Sequence, residues 1–124
     1  MFSCELMSKY LYFKTAKFES NQDFANWLHQ ELCRAGEVAG VPINDEFMFV
    51  IPVTRGTGKG EIYLGKNEEQ SNPPLWQVWF ENKVGFFKKL FLKPSTDNEQ
   101  HYKNLLFRLV GSIDGVSNVE WSDI

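Results

Sequence analysis

Apolar residues follow two rhythms along this chain. Phe24, Trp27, Leu28, Leu32 and Ala35 recur at spacings of three and four, and so do Tyr102, Leu105, Leu106, Leu109 and Ile113. Each set predicts one buried stripe along a helix, with Asn26, Gln30 and Arg34 of the first helix turned to water. Ser20, with Asp23 three places on, is a capping signal for the first helix, and Gly36 is its natural stop. The second helix has Ser95, Thr96 or Asp97 as candidate caps, and Asp114-Gly115 breaks it.

The second rhythm is that of strands. Tyr10–Lys14 is a short aromatic run, Phe47–Val53 is apolar on both faces, and Glu61–Gly65 follows the glycine-rich stretch Thr54–Gly60 in the manner of a hairpin. Pro52 removes a ladder donor and predicts that its strand leaves the sheet or lies at an edge there. Leu75–Glu81 alternates: Trp76, Val78 and Phe80 belong to the core, while Leu75, Gln77, Trp79 and Glu81 take the other face. Val116–Trp121 reads as a last strand with Val119 and Trp121 on one side. Glu37–Glu46, with Gly40, Pro42 and Asn44-Asp45, reads as a connection, Lys66–Pro74 as a polar surface loop and Asn82–Gly85 as a turn. The expected fold is α+β: an antiparallel or mixed sheet of about five strands with two main helices packed on one face.

Composition narrows the picture. At 124 residues, 43% apolar and 15% aromatic, the chain is expected to form a single globular domain with a core rich in Phe and Trp. A net charge of −3, with basic residues scattered, argues against direct nucleic-acid binding. Cys4 and Cys33 are too few for a disulfide framework. No His or third Cys stands at metal-ligand spacing from either, so no metal or other cofactor is expected. Cys33 reads as a small buried hydrophobe. Reduced thiols, the absence of a secretory pattern in the first ten residues and the lack of a long apolar run point to the cytosol and away from a membrane.

No catalytic motif emerges, and the chain is not expected to be an enzyme. The Gly56–Gly60 loop lacks the spacing, the hydroxyl and the following helix of a nucleotide-binding loop. It reads as a hairpin turn, with Arg55 and Lys59 and the loop amides as the alternative, a small-ligand or enzyme site for an anionic group. His29 and Cys33 could share a helix face, and His101 is expected to be solvated. Phe86–Leu92 is amphipathic and basic; it fits core packing, with a membrane-surface or acidic-partner role as the alternative. Asp45, Glu46, Glu68 and Glu69 solvate loops in one reading; in the other, loops gather them on one rim to steer a basic partner. Trp79 is either covered by another layer or exposed as a binding anchor, with Gln77 and Glu81 beside it. If exposed, it could also serve a homodimer.

Trp76-Gln-Val-Trp79-Phe80, Gly85-Phe-Phe-Lys-Lys-Leu-Phe91 and the last helix running into Asn118-Val-Glu-Trp121 resemble segments of bacterial immunity proteins of contact-dependent growth inhibition and other polymorphic toxin systems. The resemblance covers the C-terminal half. It implies a cytosolic protein that binds and neutralises a cognate toxin domain, and it transfers no site residue, because these proteins span many folds. Against a basic nuclease face, the residues expected to meet the partner are Asp45, Glu46, Glu68, Glu69 and Glu81, with Trp79 as the apolar anchor.

Overall fold

The computed structural model describes residues 8–83 and 96–123, so the expected Phe86–Leu92 segment, the Gly85 end of its preceding turn and Cys4 lie outside the described residues. The elements run β1 (Tyr10–Lys14), α1 (Asn21–Arg34), β2 (Val38–Ala39), β3 (Ile43–Asp45), β4 (Met48–Arg55), β5 (Gly58–Lys66), β6 (Leu75–Lys83), α2 (Thr96–Gly111) and β7 (Ser117–Ser122). They form one antiparallel sheet in the order β2-β4-β5-β6-β1-β7, with β3 pairing β4 as well. The fold is α+β as expected, but the sheet has seven strands where about five were expected. The added pair lies in the stretch read as a connection. The outer side of β4 would otherwise leave its backbone groups unpaired, and residues 38–45 supply partners in two short pieces.

Pro52 is compatible with an interior strand because of where its missing N–H points. Gly40 N–H donates to the Pro52 carbonyl at 2.8 Å, so the side of Pro52 that lacks a donor faces the broken edge segment. The β4–β5 ladder continues through the Pro52–Glu61 pair.

The helix caps form as their residues dictate. Ser20 Oγ accepts from Asp23 N–H at 3.1 Å. Asp23 returns a bond to the Glu19 amide at 3.2 Å, one residue before the cap. At the other end, Gly36 takes φ +88°, Glu37 N–H donates to Leu32 O and Gly36 N–H to Cys33 O, the paired bonds of a Schellman stop.

Both helices cover the same face of the sheet. α1 lies over β2, β4 and β5, and α2 over β6 and β7. Leu11, Phe13, Ile51, Val53, Ile62, Leu64, Trp76, Val78 and Phe80 meet Phe24, Leu28 and Leu32 of α1 and Tyr102, Leu105, Leu106 and Leu109 of α2. Trp76 is 1% exposed, with Phe18 and Phe24 edge-on to it at 5.5 and 5.6 Å. Its indole N–H donates to Thr15 O at 3.0 Å. Phe80 stacks on Tyr102 at 4.7 Å, in space that Gly60 leaves open. Lys103, 3% exposed, donates to Ser8 O at 2.6 Å and lies over the Trp121 ring. Among the described residues, no helix is long and apolar enough to cross a membrane.

Any Cβ added at Gly60 collides with the Phe80 ring. Gly60→Ala is expected to destabilise the protein by about 1–3 kcal/mol, the usual cost of overpacking a core. Urea unfolding measures it, as a lower midpoint at unchanged slope.

Candidate functional site

The face of the sheet away from the helices carries Tyr10 and Tyr12 from β1, Tyr63 from β5, and Gln77, Trp79 and Glu81 from β6. The alternation of β6 is the one expected, but Trp79 is not an exposed anchor: it is 9% exposed, with no third layer above it among the described residues. Its cross-strand neighbour Tyr63 stacks on one side at 5.4 Å, and Tyr10 meets it edge-on at 4.9 Å on the other. Among the described residues, flanking rings cover the indole.

Glu61 and Glu81 stand directly opposite each other on β5 and β6, an arrangement that is repulsive by itself. Four donors offset it. Lys9 Nζ reaches Glu81 at 3.1 Å and Lys83 Nζ reaches Glu61 at 3.2 Å. Trp79 Nε1–H donates to Glu81 at 2.9 Å and Tyr63 O–H to Glu61 at 2.7 Å. The Trp79 bond, followed by the contact with Lys9, holds the Glu81 carboxyl below the usual carboxylate range. Tyr63 is pushed up to about 12, first by its bond to Glu61, then by burial and nearby carboxylates including Asp45. Gln77 is likewise engaged, accepting from Asn67 Nδ2 at 3.0 Å.

The four remaining acidic candidates share one end of the sheet. β4 runs from the Glu46-Phe47 turn to the hairpin at residues 56–57, and β5 returns from that hairpin to the loop holding Glu68 and Glu69. Turn and loop therefore border the same rim. Among the described residues, Asp45, Glu46, Glu68 and Glu69 form no ion pair, in contrast to Glu61 and Glu81.

Phe47, expected to begin a buried strand, occupies the turn instead and is 80% exposed. Its position is fixed: Asn21 Nδ2 donates to Phe47 O at 3.0 Å while Asn21 Oδ1 accepts from Lys66 N–H at 2.8 Å. One side chain at the start of α1 thus clamps the turn to the end of β5. Sequence reasoning missed Phe47 because the turn has no glycine. Glu46 takes φ 55°, a left-handed conformation that its residue type does not signal. Phe47 also belongs to a wider strip. Val38, Val41, Ile43 and Phe47 are four of the five large apolar residues that are exposed among those described, and all four lie between residues 38 and 47.

Arg55 and Lys59 do not converge. Gly56, at φ +64°, and Thr57 make a two-residue hairpin turn closed by the Arg55–Gly58 pair. Arg55 shares strand parity with Ile51 and Val53 on the helix-covered side, where its Nη1 donates to Asn98 Oδ1 of α2 at 3.0 Å. Lys59 shares parity with Glu61 and Tyr63 on the opposite face.

The histidines are more engaged than expected. His101 is not simply solvated: its Nε2 lies 2.9 Å from Glu37 Oε2. Beside it, Tyr102 is 1% exposed and its hydroxyl meets no partner at hydrogen-bond geometry among the described residues, and burial, then the nearby Glu37 carboxylate, pushes the phenol up to about 12. A histidine oriented by a carboxylate can move protons, but among the described residues no hydroxyl or thiol bonds to His101. Cys33 is exposed, contrary to its expected burial, because it lies on the side of α1 away from the Phe24, Leu28 and Leu32 stripe. Its Sγ is 3.6 Å from His29 Nε2, and the same nitrogen is 3.4 Å from Ala39 O. A proton donated to Ala39 leaves that nitrogen unable to accept one from the thiol. Among the described residues, no group of three or more His, Cys, Asp and Glu could hold a metal ion.

Two titrations check the open face. The depressed Glu81 carboxyl contributes stability that is present above the ordinary glutamate pKa and is lost as pH falls through its lower folded value. Glu81→Gln is expected to flatten the acid limb of stability against pH, measured by urea unfolding. In an absorbance titration of tyrosinate, Tyr63 and Tyr102 are expected to ionise near pH 12, with Tyr12 raised as well by its burial. Tyr63→Phe is expected to reduce the amplitude near pH 12.

Comparison of the chain with protein-family models, with curated proteins and with solved structures finds no match.

Proposed function

We propose that the protein works by binding another protein and that, in line with the resemblance of its sequence, it is an immunity protein that holds and neutralises a cognate toxin domain. The observation that carries this reading is the rim formed by the Glu46-Phe47 turn. An 80% exposed phenylalanine is clamped in place by Asn21 at the end of the sheet that also carries four carboxylates forming no ion pair among the described residues. Pre-fixing the turn lowers the ordering cost of binding. Burying Phe47 in a partner supplies about 1.5–3 kcal/mol. The acidic border draws in a basic surface and disfavours an acidic one. A nuclease whose substrate face is basic fits this description.

The edge segment favours docking through side chains over strand addition. Gly40 opposes Pro52, whereas Ile43 opposes Val50, so the register shifts by one residue where Pro42 interrupts the edge. Pieces of two and three residues are a poor template for a foreign strand. Val38, Val41 and Ile43 add exposed apolar side chains along the same edge, Ile43 toward the Phe47 end of β4 and Val38 toward its other end.

The test is co-expression with the product of the neighbouring gene, followed by capture and a growth-protection assay. Capture with protection is expected. Phe47→Ala is expected to weaken binding by about 30-fold or more, the loss typical of an interface anchor, with the circular dichroism spectrum unchanged. Replacing Asp45 and Glu46 with Lys is expected to slow association and to reverse its dependence on salt. Neither capture nor protection, in a chain that sediments as a monomer at micromolar concentration, overturns the reading. A dimer lost in Phe47→Ala replaces it with self-association.

A further inference from the structure

The open face holds a second feature, which shares Glu69 with the Phe47 rim and is otherwise built from different residues. Between β6, β1 and β7 there is a shallow groove of about 340 Å³, lined by Tyr12, Lys14, Asn67, Glu69, Asn118 and Glu120 among others. Its making is local. Tyr12 opposes Gln77 on one side and Glu120 on the other. The β1–β7 register then shifts between Tyr12 and Lys14, where Asn118 takes φ 53°, and this bulge widens the β7 side. Asn67 closes the loop end, its Nδ2 bonded to Gln77 and its Oδ1 to the Glu69 amide at 2.8 Å.

The charges here behave differently from those around Trp79. There, each lysine is paired with a glutamate across the strands. In the groove, Lys14, Glu69 and Glu120 share one concavity, yet among the described residues none of them forms an ion pair. Donors and acceptors of both signs are thus left facing a common space beside an aromatic ring.

The chemistry of that lining selects a ligand class. Two carboxylates against one ammonium disfavour an anion. Among the described residues of the lining Leu75 is the only aliphatic one, too little for an apolar ligand. A hydroxyl group both donates and accepts, so adjacent hydroxyls can satisfy carboxylates, an ammonium and an amide together. The flat apolar side of a pyranose ring packs against an aromatic face. We propose that this groove is a saccharide-binding site, with the Tyr12 ring as its platform and Glu69, Glu120, Asn118 and Lys14 as hydrogen-bonding partners of ring hydroxyls.

The test is a two-dimensional amide NMR titration of the full chain with cellobiose, chitobiose and mannobiose, each to about 20 mM, the range suited to weak open sites. Glycine and inorganic phosphate serve as parallel arms. The expected result is saturable shifts at Tyr12, Glu69, Asn118 and Glu120 with at least one disaccharide. Glu120→Gln keeps the shape of the side chain and is expected to weaken that response about tenfold, and Tyr12→Ala to abolish it. If Tyr12→Ala fails to fold, the Glu120→Gln result decides alone. No shift with any of the three disaccharides overturns the proposal, and so does an equal response to glycine or to phosphate.

Discussion

The burial of Trp76 is the constraint on which most of this structure depends. A 1% exposed indole has to place its N–H, and it does so on the Thr15 carbonyl at 3.0 Å, just past the end of β1. That bond fixes where the chain leaves the sheet. The turn that follows carries Phe18 to the indole at 5.5 Å and delivers Ser20 to cap α1, whose Phe24 closes on the same ring. Further along β6, Phe80 does for α2 what Trp76 does for α1: it stacks on Tyr102, and β5 accommodates it by having no side chain at Gly60. One strand therefore positions both helices, and both come to rest on its Trp76, Val78 and Phe80 side.

The other side of β6 follows from the same alternation, with a different solution. With no described helix above it, Trp79 is covered laterally by Tyr63 and Tyr10, and the facing Glu61 and Glu81 are offset by two lysines and two aromatic donors. A surface whose charges already have partners gains little from a new one, because each existing bond must be given up. The middle of the open face is for this reason a poor place to seek binding energy. Unpaired charge and exposed apolar surface lie instead at its margins: the Phe47 rim, the 38–47 edge and the groove beside β7.

What the sequence made legible was whatever local chemistry decides. The α1 stripe from Phe24 to Leu32 and its cap, the α2 stripe, the two faces of β6 and the helix-covered sheet could be read from spacing, because each depends on residues within one element. Ala35, expected in the stripe, is instead exposed at the C-cap of α1. What it hid was decided between elements. The edge strands at 38–39 and 43–45 exist because β4 needs partners, and their own residues, with Gly40 and Pro42 among them, signal only a connection. Trp79 is covered because a tyrosine happens to face it on each neighbouring strand, which no pattern within β6 reveals. Cys33 was misjudged on the general habit of cysteine, against a helical position that points away from the stripe. Of the acidic candidates, Glu81 proved to be spoken for by Trp79 and Lys9, while the loop acids gathered on a common rim because the single hairpin reversal returns β5 to the end where β4 began.

The edge itself shows how stability and recognition constrain each other. An outer strand that paired β4 continuously would protect it fully but would expose an unbroken backbone ladder to any passing chain. Residues 38–45 avoid that by pairing in two short pieces around Pro42, and Pro52 turns its donorless side toward the break. The backbone is thereby made unattractive to foreign strands while Val38, Val41 and Ile43 remain exposed. Such residues are a liability in a chain that works alone, since apolar surface on an edge invites association. Under the proposed binding role, their retention on the edge that ends at a phenylalanine fixed by Asn21 is accounted for by recognition through side chains, and the acidic groups at that end would restrict which partners approach.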